Sequence, residues 1–250
     1  MARKAVARRP NLLIGPPFHY CPGCSHGIVH RLLAEVVEEL KIREEVIGVA
    51  PVGCAARFYI YLDFDMVKAS HGRAPAVATG VRRQLPEKYV FTYQGDGDLL
   101  AIGLSEALYA AIRGENILIV FLNNAIYGMT GGQIAPTTLI GQWSSTTPEG
   151  RRPEESGYPL RFPELIAQLP GVAFAARCAV DSPTNIQKTK KALKQAFKLQ
   201  KDKVGFAIVE ILCACPTNLH LSPVEALDWL RENMASYYPL GYVKGPVRKK

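Results

Sequence analysis

Residues 88–122 limit what this chain can fold into more than any other stretch. Lys88–Gln94 is strand-forming, Leu99–Arg113 carries helical periodicity, and Ile117–Leu122 is a second apolar strand. Strand, helix and strand at this length predict a right-handed crossover and hence a parallel sheet, which must be covered by helices on both faces. The remaining sequence supplies the cover. In "FHYCPGCSHGIVHRLLAEVVEEL", Ile28, Leu32, Leu33, Val36, Val37 and Leu40 recur with helical period. Cys21 and Cys24 are therefore expected on a Gly/Pro loop at a helix N-terminus, with Ser25 as its cap. "EVIGVAPVG" predicts a short strand leading to Cys54, and "HGRAPAVATGVRRQL" a loop and a helix ending before Pro86. "GVAFAARCAV" and "FAIVEILCA" predict strands on either side of a helix over Pro183–Lys201, and a short helix is expected around Val224–Asn233.

The expected fold is α/β, a doubly wound parallel sheet with a Cys-bearing N-terminal loop and a C-terminal extension. Residues 10–235 read as one domain, 1–9 as a basic N-terminal tail and 236–250 as a C-terminal tail. A chain of 250 residues can bury a substantial core in this way. Ala135–Leu160, rich in Gly, Pro, Ser and Thr, has no clear period; loops of that length in compact domains are usually functional. It is expected to close over a pocket or to pack on a partner.

The formal charge of +8 comes entirely from the ends. Arg3, Lys4, Arg8 and Arg9 precede Pro10, Lys244, Arg248, Lys249 and Lys250 close the chain, and Pro10 to Val243 is formally neutral. With no zinc-finger spacing and no RNA-binding aromatic motif, a nucleic-acid partner is not expected. No segment approaches the ~18 apolar residues of a membrane span, and no apolar core precedes Pro10, so the cytoplasm is the expected compartment.

The chemistry lies where strands meet helices. Gly95-Asp96-Gly97-Asp98 forms a glycine bend between a strand and a helix, where ligands of parallel sheets bind. Glycines there admit a phosphate, but bare carboxylates repel one, so Asp96 makes sense if a cation stands between. Mg²⁺ takes oxygen ligands and commonly bridges side chains to a diphosphate. The next strand ends in Asn123-Asn124, with twenty-five residues between Gly97 and Asn123. That separation is one helix plus one strand, which should bring the two tips side by side.

Six cysteines, Cys21, Cys24, Cys54, Cys178, Cys213 and Cys215, favour metal or redox chemistry over disulfides in the expected compartment. Cys21-Pro-Gly-Cys24 with later thiols suits a [4Fe–4S] cluster or a structural zinc, and a thioredoxin-like redox pair is a third reading.

"YCPGCSHG", "VGCAAR", "HGRAPAVATG", "GDGD", "NNAIYGMTGGQIAPTT" and "CPT" follow in this order from Tyr20 to Thr217, about four-fifths of the chain. This series resembles the thiamine diphosphate-binding β subunit of 2-oxoacid:ferredoxin oxidoreductases. The resemblance implies that Asp96, the Asn124 side chain and the Ile126 carbonyl hold Mg²⁺. It places Gly53, Cys54, Ala55, His71, Gly97, Asp98, Gly128 and Thr130 against thiamine diphosphate, and Cys21, Cys24, Cys54 and Cys215 on a [4Fe–4S] cluster. Cys215 is preferred to Cys213 because it stands in the Cys-Pro-Thr context, which leaves Cys178 and Cys213 as core residues. His26 and His30 are read as structural.

The implied reaction converts a 2-oxoacid, CoA and two oxidised ferredoxins to acyl-CoA, CO₂ and two reduced ferredoxins. Arg57, three residues after Cys54, is expected to pair with a substrate carboxylate, which hints at a dicarboxylate such as 2-oxoglutarate, or else to bridge to a partner; a substrate of the 2-oxoglutarate or branched-chain type is expected. Met129 is expected to wall the substrate pocket. The family's α subunit supplies the glutamate that activates the aminopyrimidine, so this chain should be catalytic only with that partner, and larger assemblies add γ and ferredoxin-like δ subunits. The lysines of "SPTNIQKTKKALKQAFKLQKDK" could steer an acidic ferredoxin, although a solvated helix face is the preferred reading. Two rivals are a non-redox thiamine diphosphate-dependent 2-oxoacid decarboxylase subunit and an iron–sulfur or zinc binding module on a vestigial nucleotide fold.

Overall fold

The structure, a computed structural model, describes residues 8–246; most of the basic N-terminal tail and the last four residues lie outside them. In chain order the main elements are α1 (His26–Leu40), β1 (Val46–Ala50), a 3₁₀ helix (Cys54–Ile60), β2 (Asp65–Lys68), α2 (Ala74–Gln84) and β3 (Tyr89–Gly95). A π-helical turn (Gly97–Ile102), α3 (Leu104–Ile112) and β4 (Leu118–Asn123) follow. After the long loop, which carries α4 (Pro153–Ser156), come α5 (Phe162–Ala167), β5 (Val172–Ala179), α6 (Pro183–Lys201) and β6 (Phe206–Leu212). The C-terminal part holds α7 (Pro216–Leu219), α8 (Pro223–Trp229), a π turn (Leu230–Met234), α9 (Ala235–Tyr237) and β7 (Gly241–Lys244).

Seven strands form one sheet in the order β2-β1-β3-β4-β6-β5-β7. All neighbours are parallel except β7, which pairs antiparallel with β5. Both faces are apolar because side chains alternate along each strand. Phe91, Tyr93, Leu118 and Val120 face the layer of α1 and α6, where they meet Leu33, Val37, Leu193 and Phe197. Val90, Ile119, Phe121 and Ile208 face the layer of α2, α3 and α5. A third cluster, from Ala125 and Leu139 through Leu230, Met234 and Tyr238, seats the C-terminal helices on the carboxyl edge of the sheet.

The parallel order has one consequence for chemistry. The carboxyl ends of β1, β3, β4 and β6 are consecutive along the sheet, so Cys54, Asp96, Asn124 and Cys215 emerge on one edge. The register carries this down to single residues: Gly95 pairs with Leu122, and Asn123 with Leu212.

Several local expectations need correction. Ser25 precedes α1 but makes no side-chain cap; its Oγ accepts from the Ala214 amide at 3.0 Å, tying α1 to the end of β6. The single helix expected over Leu99–Arg113 is a π-helical turn followed by α3, offset at Gly103. Strand β2 carried no sequence signal, and part of the expected C-terminal tail is the edge strand β7. Lys190 lies 2.7 Å from Glu35 and 2.5 Å from Glu39, and Lys194 2.6 Å from Glu39, so part of the lysine-rich face of α6 binds α1. No helix among the described residues is long and apolar enough to cross a membrane.

Candidate functional site

The cleft at the carboxyl edge is built around Asp96, which is buried at the end of β3. Its Oδ1 accepts from the Gly97 amide at 2.8 Å, and its Oδ2 from the Ile126 amide at 3.1 Å and the Thr137 hydroxyl at 2.6 Å. Burial nevertheless pushes its carboxyl up to about 6, the donors pulling the other way. The near end of the Asn124 side chain lies 3.3 Å from each Asp96 oxygen and 2.7 Å from the Ile126 carbonyl oxygen. With its NH₂ turned there the amide donates to all three; with its oxygen there it accepts from the Ile126 amide at 3.3 Å but otherwise faces acceptors. Asp96, Asn124 and the Ile126 carbonyl can thus present three oxygens to one point, a donor set that fits a small, hard cation.

The backbone that aims these groups is strained. Ala125, between Asn124 and Ile126, has φ +58°, a left-handed conformation uncommon for a residue with a side chain. Its amide is held by Asn123 Oδ1 at 3.1 Å, and its carbonyl by Thr138 Oγ1 at 2.7 Å and Gln142 Nε2 at 3.0 Å.

Asp98 differs from Asp96. Its carboxylate is turned into the protein, where it accepts from the amides of Val52 and Gly72 and from Gln94 Nε2, and His71 Nδ1 lies 2.6 Å from it. It ties the loops after β1 and β2 to β3, so of the groups expected against a diphosphate its carboxylate is already engaged. His71, also expected there, lines the cleft and leans on Asp98. Gly97 must lack a side chain because a Cβ would stand 2.2 Å from the Tyr127 ring, whose hydroxyl donates to the Gly97 carbonyl at 3.2 Å. Gly53 has φ +91°, and a Cβ there would meet nothing within 4 Å, so its peptide faces open cleft beside Ala55. Thr130 is exposed at the rim, with its hydroxyl bonded to Gln133 at 2.5 Å.

Thiols gather on one side of this cleft: Cys24, Cys54 and Cys213 line it, and Cys21 and Cys215 are close enough to act on Cys24 and Cys54. Burial pushes the Cys24 thiol up to about 12, against a backbone hydrogen bond at His26 and with the fields of Cys215, Cys54 and Cys21 adding to it. Cys54 is pushed up to about 11 by burial and then by Cys215 and Cys21. Cys215 is raised by burial, opposed by hydrogen bonds from Asn218, with Cys21 adding. Among the described residues no three His, Cys, Asp or Glu side chains close on a single metal ion. Cys178 and Cys213 are buried in the core between the sheet and the α1–α6 layer, and Cys213 also reaches the floor of the cleft.

Gly128 joins the two halves. A Cβ there would stand 3.2 Å from Cys54 Sγ, 3.5 Å from Asn124 Nδ2 and 3.7 Å from Cys215 Sγ. Oxygen corner and thiol group therefore meet at one glycine. Asn218 Nδ2 donates to the Gly128 carbonyl at 3.0 Å and to Cys215 Sγ at 3.3 Å. Gly23, at φ +78°, packs the Cys21–Cys24 loop against Pro223 of α8, which encloses the thiols from the C-terminal side. Met129 lines the cleft and is 55% exposed. Arg57 is exposed at the end of the 3₁₀ helix, with no acidic partner among the described residues.

The long loop is pinned rather than loose. The buried Arg151 guanidinium donates to the carbonyls of Ala135, Pro136, Thr138, Ser156, Gly157 and Tyr158 at 2.6–3.4 Å. This holds Thr137 in place for Asp96. Thr137, Tyr127, Gln94 and Asn218 were not singled out from sequence. Only the polar run after Asn124 hinted at Thr137, and nothing local marked Asn218.

Residues 52–211 match the family model described as thiamine pyrophosphate enzyme, C-terminal TPP binding domain. The ketoisovalerate oxidoreductase subunit VorA of Methanothermobacter marburgensis is 48% identical over 222 residues, covering 89% of this chain and 46% of that protein. The 2-oxoglutarate synthase subunit KorB of Archaeoglobus fulgidus is 36% identical over 220 residues, covering 87% of this chain and 77% of that protein. The chain spans about half the length of the VorA relatives it matches. In fold it is similar to a chain of the 2-oxoglutarate:ferredoxin oxidoreductase of Magnetococcus marinus, solved with 2-oxoglutarate, coenzyme A and succinyl-CoA bound. The TM-score is 0.77 at 24% identity, over 98% of this chain and 87% of that one.

Proposed function

Because the chain belongs to the thiamine pyrophosphate-binding subunits of the 2-oxoacid:ferredoxin oxidoreductase family, we propose that it is the β subunit of such an enzyme, oxidatively decarboxylating a 2-oxoacid to acyl-CoA and CO₂. The observation that carries this reading is the meeting of Asn124, Cys54 and Cys215 at Gly128. A cofactor diphosphate held at the oxygen corner would lie beside the sulfur ligands, as a reaction that releases two electrons into one-electron carriers requires.

When bound, thiamine diphosphate supplies the electron sink for decarboxylation and a [4Fe–4S] cluster supplies a one-electron relay. The chain's own residues do the rest. Asp96, Asn124 and the Ile126 carbonyl would hold Mg²⁺ against the diphosphate; Gly53 keeps the approach open for it, and Gly97 makes room for the Tyr127 ring beside it. Asp98 and His71 brace the loops that border it. Cys21, Cys24, Cys54 and Cys215 would hold the cluster, and the approach of Cys54 Sγ and Cys215 Sγ to one point at Gly128 supports Cys215 as the fourth ligand. Arg57, free of an acid, would face the substrate carboxylate or a partner, and Met129 would cover the pocket. The α subunit would contribute the activating glutamate, and ferredoxin would take the electrons, in the cytoplasm. The higher identity to a ketoisovalerate enzyme than to 2-oxoglutarate enzymes favours a branched-chain 2-oxoacid.

The test is to purify the chain anaerobically with its partner subunits and to measure iron, sulfide, zinc and thiamine diphosphate. Reduction of a one-electron dye is then followed with CoA and either 2-oxoisovalerate or 2-oxoglutarate. Iron, sulfide and cofactor together, with CoA-dependent dye reduction, are expected. Cofactor without iron supports the non-redox decarboxylase, zinc without sulfide removes the electron-transfer role, and turnover by this chain alone removes the partner.

A further inference from the structure

Strand β6 reads "FAIVEIL", a run of buried apolar residues interrupted by Glu210, which has no exposed surface. An isolated carboxylate is costly there unless its partners are worth the burial. Glu210 Oε1 accepts from Asn123 Nδ2 at 2.7 Å, and Oε2 accepts from Arg177 Nε at 2.6 Å. The Arg177 guanidinium in turn makes a two-pronged pair with Glu164 of α5, both contacts at 2.6 Å. Burial pushes the Glu210 carboxyl up, but Arg177 and Asn123 pull it the other way, and a donor at each oxygen suits the carboxylate form.

That form sets the polarity of the neighbouring amide. With its NH₂ directed at Glu210, Asn123 has to present Oδ1 to the Ala125 amide. This contact holds Ala125 in its left-handed conformation, and the turn at Ala125 is what points Asn124 and the Ile126 carbonyl at Asp96. We propose that Glu210 is a positioning residue for the cation corner: it orients the Asn123 amide, and through it the Asn124–Ile126 turn that would hold Mg²⁺ and the cofactor diphosphate. The inference rests on the thiamine-enzyme reading above.

Exchanging carboxylate and amide tests the claim with almost no change of shape. In Glu210→Gln one oxygen becomes an NH₂ group, which must oppose a donor on either Asn123 or Arg177. If Asn123 turns over to escape, its own NH₂ faces the Ala125 amide. In Asn123→Asp, two carboxylates face each other. In the double variant a carboxylate at position 123 accepts from both the Ala125 amide and the new amide at 210, whose oxygen accepts from Arg177. Donor–acceptor complementarity and total charge are both restored.

The complex purified through this chain is titrated with thiamine diphosphate at fixed Mg²⁺, by calorimetry and by quenching of protein fluorescence. Thermal melting of the same samples reports folding. Each single variant is expected to bind about tenfold or more weakly, the range usual for residues that orient metal ligands. The double variant is expected to return to within about threefold of the parent, a rescue that a packing role alone does not give. Parent-like binding by Glu210→Gln, or a double variant no better than the weaker single, overturns the proposal. A parent complex that binds no cofactor overturns the functional reading instead.

Discussion

Thr137 donates its hydroxyl to Asp96 Oδ2 at 2.6 Å, across 41 positions of sequence. The Thr137 carbonyl accepts from the Tyr238 hydroxyl at 2.8 Å, so one loop residue joins the cation corner to the C-terminal segment. Thr137→Val keeps the shape and removes the donor. Mg²⁺-dependent thiamine diphosphate binding should weaken about tenfold, as expected for loss of a group that orients a ligand. Calorimetry checks this, and unchanged affinity would detach Thr137 from the site.

Arg151 serves six carbonyls of the long loop, so its loss should be felt along the whole of residues 135–160. Arg151→Met retains much of the aliphatic bulk but none of the donors. A destabilisation of roughly 2–4 kcal/mol is expected, with new proteolytic cuts inside the loop. Urea melts and limited proteolysis provide the readout; a variant as stable and as resistant as the parent would mean that the loop holds itself.

The thiols divide into two groups by burial: Cys178 and Cys213 are buried, and the other four are at least partly exposed. Single serine substitutions of Cys21, Cys24, Cys54 or Cys215 should lower iron and sulfide in anaerobically purified protein, whereas Cys178→Ala and Cys213→Ala should keep both. Loss of iron in Cys213→Ala with retention in Cys215→Ser would reverse the assignment of the fourth ligand.

His26 and His30 form a buried aromatic group beside the thiols: His26 Nδ1 lies 2.7 Å from the Tyr93 hydroxyl, and His30 Nε2 2.8 Å from that of Tyr20. Burial lowers His26 to about 3 and His30 well below its usual value. The unfolded chain takes up these protons near pH 6.5, the native state only at much lower pH, so protons favour unfolding in between. Stability should therefore fall as pH drops below about 6.5, by up to about 1.4 kcal/mol per pH unit for each histidine. In His30→Gln the slope of stability against pH between 6.5 and 4 should be shallower by one proton. Denaturant melts across that range measure it, and an unaltered slope would mean that His30 is charged in the fold.

Much of this was legible along the chain because it depends on neighbours in sequence. The crossover over residues 88–122 follows from periodicity, and the Asp96 bend and the Asn123-Asn124 tip follow from glycine and amide placement at strand ends. What local rules could not supply were partners. Asp98 looked like a second ligand to the diphosphate, yet its carboxylate is consumed by Val52, Gly72 and Gln94, two of them on other loops. Ser25 looked like a helix cap and instead holds Ala214, 189 positions away. Strand β7 has too few apolar residues to announce itself, and pairs because the β5 edge is available to it.

The sequence by itself determined the chemistry within reach: acids on a glycine bend, an amide pair one crossover later, and thiols in three loops. These are properties of residue type and spacing, which the chain carries whether folded or not. Only the tertiary structure decided which groups act together. The strand order sets β1, β3, β4 and β6 side by side, and burial then drives most polar groups at their ends to find a partner across the sheet edge. Glu210 reaching Asn123 and Thr137 reaching Asp96 are both outcomes of that pressure.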